Sequence, residues 1–353
     1  MHGPGRAHDA WRRVLAGIVP AKLLGLHATS AGQAPLAPEV PRTLLKAEIE
    51  ALPAEQHLLE GGHFLVRYAR AAQIPWCLQE IGRLRETTFR AAGEGTGRAA
   101  DIDLFDAYYL HLILWDTQAE AIAGAYRMGL ADEIVARYGR RGLYTQSLFR
   151  YGNRLLECLN PAIELGRSFV RAEYQRSFSA LMLLWRGIGR FVLRSPQYAV
   201  LFGPVSISNS YAPLSRQLMV DYLSANNIET GLARHVRPRR PFRGMKSSVW
   251  DEVEPADLKD IEELSRAVAQ IEGDNKGVPV LLKQYLKLGG RLLGFNTDAQ
   301  FGNALDGLIM VDFRATEPRL LARYVMGEEG AADFLAWHGA GDESLQHASR
   351  PAA

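Results

Sequence analysis

The chain has 353 residues, 47% hydrophobic and 23% charged, proportions ordinary for a soluble globular protein with a sizeable core. A formal net charge of +2 gives no global electrostatic case for nucleic acid. The two cysteines, Cys77 and Cys158, lie far apart with no CxxC spacing, which argues against a disulfide scaffold or a zinc site and fits a reducing cytosol.

No apolar run approaches the roughly 20 residues of a membrane span. In "WRRVLAGIV", Trp11, Val14, Leu15, Ile18 and Val19 follow helical spacing beside Arg12 and Arg13. Pro20 and Lys22 interrupt the run, which speaks against a cleaved signal peptide. A short amphipathic helix on an anionic membrane, a docking helix and a frayed terminus all fit. Residues 29–42 are rich in Pro, Ala and Gly and read as a linker, so 1–45 form an amino-terminal segment.

A helix is expected at 42–52, a strand at 63–69 and a helix at 74–92. "LHLILWD" (110–116) and "EAIAGAYRMGLA" (120–131) read as adjacent strands of a hairpin. A strand at 162–170 leads into a helix at 176–194, then a strand at 198–208 and a helix near 212–225. Residues 226–276 are polar and read as a basic insertion. A helix at 277–288 and a strand at 307–313 close the core, and 328–353 read as a loose tail. Length alone would allow two domains, but the pattern is that of one mixed α/β (α+β) domain over 46–327, with a mostly antiparallel sheet.

Four stretches put charges where a core does not want them. Arg85 and Phe89 share a helical face in "RLRETTF". "DIDLFD" supplies Asp101, Asp103 and Asp106. Arg127 interrupts an apolar strand in "GAYRMG", and "IELGRSFV" places Glu164 and Arg167 three apart. Buried charges are normally paired, so Arg85, Arg127 and Arg167 are expected against Asp103, Asp106 and Glu164. Taken singly, each motif fits an ordinary structural ion pair. In a regular strand Glu164 and Arg167 would point to opposite faces. For both to serve one centre, the strand must carry a bulge within 164–168, most naturally at Gly166, which would also unzip it from the strand at 198–206.

This ordered series resembles the GNAT-related N-acyltransferases that acylate amino acids from acyl carrier protein, the ornithine and glycine lipid synthases often labelled hemolysin-like. It is more distantly similar to acyl-homoserine lactone synthases. "FGPVSISNSY" (202–211) and "VPVLLKQYLKLGGRLLGFNTDAQFGNALDGL" (278–308) resemble the lipid-synthase side. The resemblance implies a GNAT fold with a splayed central strand. It implies transfer of an acyl or 3-hydroxyacyl chain from the phosphopantetheine thioester of acyl carrier protein to an amino acid, giving a lyso-aminolipid. It also implies no bound cofactor or metal, and a cytoplasmic site peripheral to the inner membrane.

Glu164, Asp103, Asp106 and Arg167 are the expected catalytic set, with Glu164 favoured as base over Asp101 and Asp103. Arg85, Phe89, Asp101, Arg127 and Ser206 are expected around the acceptor, whose carboxylate needs a cationic partner such as Arg127 or Arg85. Phe169, Val170, Arg171, Arg176, Ser177 and Ser179 are expected on the donor arm. Arg237, Arg239, Arg240 and Arg243, in a run with six Arg or Lys and no acid over 234–246, would meet an acidic carrier protein or an anionic membrane. Two matches lead elsewhere. "RAAGEG" (90–95) has the spacing of an acetyl-CoA phosphate loop but precedes the aspartate motif. His111 and Asp116 have the H-x4-D spacing of glycerolipid O-acyltransferases, yet an offset of five on a strand separates their faces.

Overall fold

The computed structural model describes residues 33–175, 179–244, 258–274 and 276–348, with side chains to 339. The expected amphipathic helix at 11–19 lies outside these residues, as do Arg176 and Ser177.

In chain order the main elements are α1 (Arg42–Ala51), β1 (His57–Gly61), β2 (Phe64–Arg70), α2 (Pro75–Ala91), β3 (Leu110–Asp116) and β4 (Ala121–Leu130). Next come α3 (Ala131–Tyr138), β5 (Phe149–Tyr151), α4 (Asn153–Leu159), β6 (Ala162–Val170), α5 (Ser179–Arg194), β7 (Val200–Ile207) and α6 (Pro213–Asn226). The remainder is α7 (Thr230–Ala233), β8 (Val236–Pro238), α8 (Ile261–Glu272), α9 (Val280–Lys287), β9 (Arg291–Asp298), β10 (Ala304–Asp312), α10 (Pro318–Leu321) and α11 (Glu328–Ala348).

Eight strands form one sheet in the order β1-β2-β3-β4-β6-β7-β10-β9. Every adjacent pair is antiparallel except β6 and β7. β3 and β4 are buried along almost their whole length and read as continuous apolar runs because helices cover both faces. On one face α1 and α2 bury Leu45, Ile49, Ile81 and Leu84 against Ile113, Trp115 and Ala125. On the other, α5 buries Leu184, Trp185, Ile188 and Val192 at helical spacing against Val66, Leu112 and Leu114.

The β6–β7 pairing decides the shape of the centre. It runs only from Ala162↔Val200 to Glu164↔Phe202. At Gly203 a Cβ would lie 2.0 Å from the Leu165 carbonyl oxygen, so only glycine lets β7 pass β6 this closely before the strands part. On its other edge β6 carries the expected bulge: Arg127 pairs with Gly166 and Ala125 with Phe169, which leaves Arg167 and Ser168 opposite the single residue Tyr126. The left-handed residue is Arg167 (φ 49°) and not the expected Gly166, so the bulge pivots one residue further along the strand.

Three other expectations change. Residues 33–41 are strapped to the domain through Ala34 N–H to Gly97 O and Ala37 N–H to Ala99 O, with Val40 buried. The described parts of 226–276 join the core: α8 buries Leu264, Val268 and Ile271 at helical spacing, and β8 pairs with β5. The polar composition of that segment hid this stripe. Nor is the tail loose through 348, since α11 buries Ala331 and Phe334, the latter edge-on to Phe313. No helix among the described residues is long and apolar enough to cross a membrane.

Candidate functional site

The aspartate motif folds into a single 3-10 turn, Leu104–Ala107, closed by a reciprocal cap. Asp103 Oδ1 accepts from the N–H groups of Phe105 (2.9 Å) and Asp106 (3.3 Å), and Asp106 Oδ2 accepts from Asp103 N–H (2.9 Å). The cap holds both carboxylates toward the sheet, where the arginines meet them. Arg85 Nη1 donates to Asp106 Oδ1 (2.7 Å), Arg127 Nη1 to Asp103 Oδ1 (2.5 Å), and Arg167 Nε lies 2.9 Å from Asp101 Oδ2.

Three guanidinium groups thus face three carboxylates, with Asp101 where the sequence reading put Glu164. Burial opposes ionisation of Asp106, but Arg85 and Arg127 overcome it and hold its carboxyl below the usual range. Burial likewise works against the charge of Arg167, and Tyr144, Asp101 and Asp103 more than offset it.

Glu164 has a different environment. Its two oxygens accept from Tyr109 OH, Thr145 Oγ1, Tyr144 N–H (3.0 Å) and Thr145 N–H (2.7 Å). It is 1% exposed and lines neither large cavity, and its oxygens tie the 144–147 turn to Tyr109. Burial raises its pKa and these donors partly offset the rise. This geometry fits a positioning residue and not the base expected from sequence. Glu164 and Arg167 nevertheless share a face, because Arg167 Nη1 donates to the Tyr144 hydroxyl (2.9 Å) in that same turn. Arg127 lies beside them, 5.0 Å from the Tyr144 ring centroid.

Arg85 (0% exposed) and Arg127 (1%) also line neither large cavity. Arg127 is enclosed by Phe105, Tyr109 and Tyr144. Both guanidinium groups, expected from sequence near an acceptor carboxylate, are turned toward Asp103 and Asp106.

Two large cavities flank this network. The first, about 600 Å³, opens where β6 and β7 part; Phe89, Ser168, Phe169, Val170, Leu181, Leu184, Val205 and Ser206 line it, with Glu94 and Lys276 at its polar side. The second, about 780 Å³, is polar and is walled by Arg98, Asp103, Tyr144, Arg167, Arg239, Arg240, Asn296 and Asp298. A narrow space of about 50 Å³ touches Phe89, Ser168, Val205 and Ser206 of the first and Tyr144, Arg167 and Phe301 of the second; Asp306 lines it too.

Four other expected residues lie away from these walls. Arg171 pairs with Glu173 at the surface, and Ser179 opens α5 exposed. Arg237 is exposed on β8 and Arg243 beyond it. Arg239 and Arg240 are exposed at the polar cavity and tied to it, Arg239 Nε donating to Gln146 O (2.8 Å) and Arg240 N–H to Asn296 Oδ1 (2.8 Å).

His111 and Asp116 are spent separately, on the Asp106 carbonyl and on the turn at 118–119 with Tyr174. Burial and then Arg85 push the His111 pKa down to about 4. Sequence reasoning missed Glu94 and Asp306. Among the described residues no group of three or more His, Cys, Asp or Glu is placed to hold a metal.

Residues 84–186 match the acetyltransferase (GNAT) domain family. The chain is 39% identical over 161 residues to a glycine N(alpha)-acyltransferase of Phocaeicola vulgatus, covering 42% of this chain and 49% of that protein. It is 32% identical over 255 residues to a glycine N(alpha)-acyltransferase of Bacteroides thetaiotaomicron, covering 67% of this chain and 74% of the relative. An L-ornithine N(alpha)-acyltransferase of Rhizobium meliloti is 28% identical over 286 residues, 78% of this chain and 88% of that protein. No solved structure gives a significant match. A GNAT sheet splayed between β6 and β7, with these relatives along its length, places the chain in the family of GNAT-type amino acid N-acyltransferases.

Proposed function

We propose that the protein moves a fatty acyl or 3-hydroxyacyl chain from the phosphopantetheine thioester of acyl carrier protein to the amino group of an amino acid of the glycine or ornithine class, forming a lyso-aminolipid. The observation that carries this reading is the meeting of two chemically opposite cavities at Arg167 and Ser168. An apolar chain and a zwitterion need such separate chambers, and the bond between them forms at the junction.

The β6 edge facing β7 has no ladder partner there beyond Glu164, so the amide-bearing pantetheine arm lies along Ser168–Val170 as an added strand. The acyl chain packs on Leu181, Leu184 and Val205 of the first cavity. In the polar cavity Arg98, Arg239 and Arg240 receive the acceptor's carboxylate, for which a guanidinium fork is the best-matched partner. Arg167, held by Asp101, Asp103 and Tyr144, supplies positive charge where the thioester oxygen becomes an oxyanion. Glu164 positions Tyr144 and Thr145. The amine attacks the thioester carbon directly, the C–S bond breaks, and the thiol of the arm leaves.

The exposed basic residues Arg237 and Arg243 suit an acidic carrier protein or the anionic inner face of a membrane, and the chemistry belongs in the cytoplasm, where acyl carrier protein works. The test incubates the full chain with isotopically labelled glycine or ornithine and either acyl carrier protein or coenzyme A thioesters, with products read by mass spectrometry. Transfer from the carrier-protein thioester is expected to be the faster. Arg239→Ala with Arg240→Ala should raise the KM for the amino acid at nearly unchanged kcat. Transfer from neither donor to any amino acid would remove the reading. A rise confined to the KM of the carrier protein would move the two arginines to donor docking.

A further inference from the structure

Asp306 stands in β10, the penultimate strand of the sheet, directly across from Ser206 of β7 and Asn296 of β9. It is 4% exposed. Its Oδ2 is buried with no protein hydrogen-bond partner among the described residues, an arrangement that costs free energy unless a ligand completes it. The side chain lines the narrow space that joins the two cavities, beside Arg167, Ser168 and Tyr144. Glu94 approaches from the loop after α2 and accepts the Ser206 hydroxyl at 2.9 Å. Two carboxyl groups therefore flank Ser206, which lines both the apolar cavity and the narrow space beside Arg167.

We propose that Asp306 is the catalytic proton acceptor: it takes the ammonium proton of the incoming amino acid at the cavity junction, with Ser206 and Glu94 positioning that amine. The assignment rests on the acyl-transfer reading above and deepens it. A protonated amino acid loses two of its three ammonium protons in forming an amide. The first passes to the Asp306 carboxylate and frees the lone pair that attacks the thioester carbon. The second leaves nitrogen as the C–S bond breaks. One proton ends on the departing thiolate sulfur and the other in solvent.

The electrostatics agree with this assignment. Burial, then Asp298 and Glu94, push the Asp306 carboxyl up, and Arg167 opposes them. Burial raises Glu94 to about 7, eased by Ser206, Lys276 and Arg167. Neighbouring carboxyls resist ionising together, so each holds the other's charge in check. A base with a raised pKa is the effective kind for deprotonating an amine at neutral pH.

Asp306→Asn in the full chain tests the role, with acyl carrier protein thioester as donor and two acceptors, glycine and aminooxyacetate. The nitrogen of aminooxyacetate is already neutral at pH 7 and needs no base. With glycine, kcat should fall roughly 10²–10⁴-fold at KM values within about threefold of the parent, and the acidic limb of its pH profile should vanish. Transfer to aminooxyacetate should stay within a few-fold. If D306N fails to fold by thermal melting, Asp306→Ser is read the same way. An unchanged glycine rate, or equal losses with both acceptors, overturns the assignment while the wild-type transfer stands. A wild-type chain that acylates neither acceptor overturns the acyl-transfer reading itself.

Discussion

Replacing Arg127 by methionine keeps most of the side-chain volume and removes the charge that faces Asp103 at 2.5 Å and Asp106 at 3.3 Å. Asp103 keeps its cap contacts and Asp106 keeps Arg85, so neither carboxylate is stranded completely. Removing one member of a buried ion pair costs about 3–5 kcal/mol, mostly from the charge left behind. For a chain of 353 residues the unfolding entropy is about 0.7 kcal/mol/K at about 2.1 cal/mol/K per residue. Arg127→Met should therefore lower Tm by about 4–7 °C in scanning calorimetry. Adding Asp103→Asn should restore part of the loss, with a coupling above about 1 kcal/mol in the double-mutant cycle. Activity per folded molecule should fall only modestly, through loosening of the 103–106 turn. A variant that melts within about 1 °C of the parent yet transfers no acyl chain would refute this account and put Arg127 on the substrate.

Glu94→Gln should flatten the pH dependence of stability. The folded pKa of about 7 exceeds the ordinary 4.5, so the folded state binds the extra proton between these values and wild-type stability falls as pH rises through that window. The full effect is about 3 kcal/mol at about 1.4 kcal/mol per pKa unit; E94Q should match the parent near pH 4 and exceed it at pH 8 in urea titrations, and parallel curves would refute the assignment. Leu181→Trp, at the half-buried wall of the apolar cavity, should shift donor preference toward shorter acyl chains in competition between carrier-protein thioesters, and an unaltered chain-length profile would place the acyl chain elsewhere.

The ion-pair network was legible because each member broke a pattern. Arg127 and Arg167 interrupt apolar strands, and "DIDLFD" sets three acids close together. What the chain order could not give was partner choice. Glu164 and Asp101 both fit Arg167, and only the fold shows the 144–147 turn delivering three neutral donors and Tyr109 a fourth to Glu164, leaving the arginine to Asp101. Glu94 and Asp306 were hidden for another reason. In "RAAGEG" an acid among glycines looks like a solvated loop, and in "NALDGLIM" the apolar run begins after Asp306, so the acid reads as a turn. Both are buried only because the loop at 300–303 packs on residues 93–94 and β10 lies inside the sheet.

The bulge in β6 joins these parts into one device. Glycine at 166 can adopt a left-handed conformation at no steric cost, yet the chain places it on Arg167 (φ 49°), where it costs on the order of 1 kcal/mol. Asp101, Asp103 and Tyr144 offset that cost by holding the guanidinium. A regular strand would send Arg167 to the face opposite Glu164. The extra residue returns it to the same face and disturbs the edge that β7 would otherwise follow, so the β6–β7 ladder ends at Glu164 and a cavity opens. Moving the pivot to Gly166 would relieve the strain but rotate Arg167 away from the junction. The strained residue is thus the one whose direction the junction depends on, and a single irregularity aims the cation at the narrow space beside the opening.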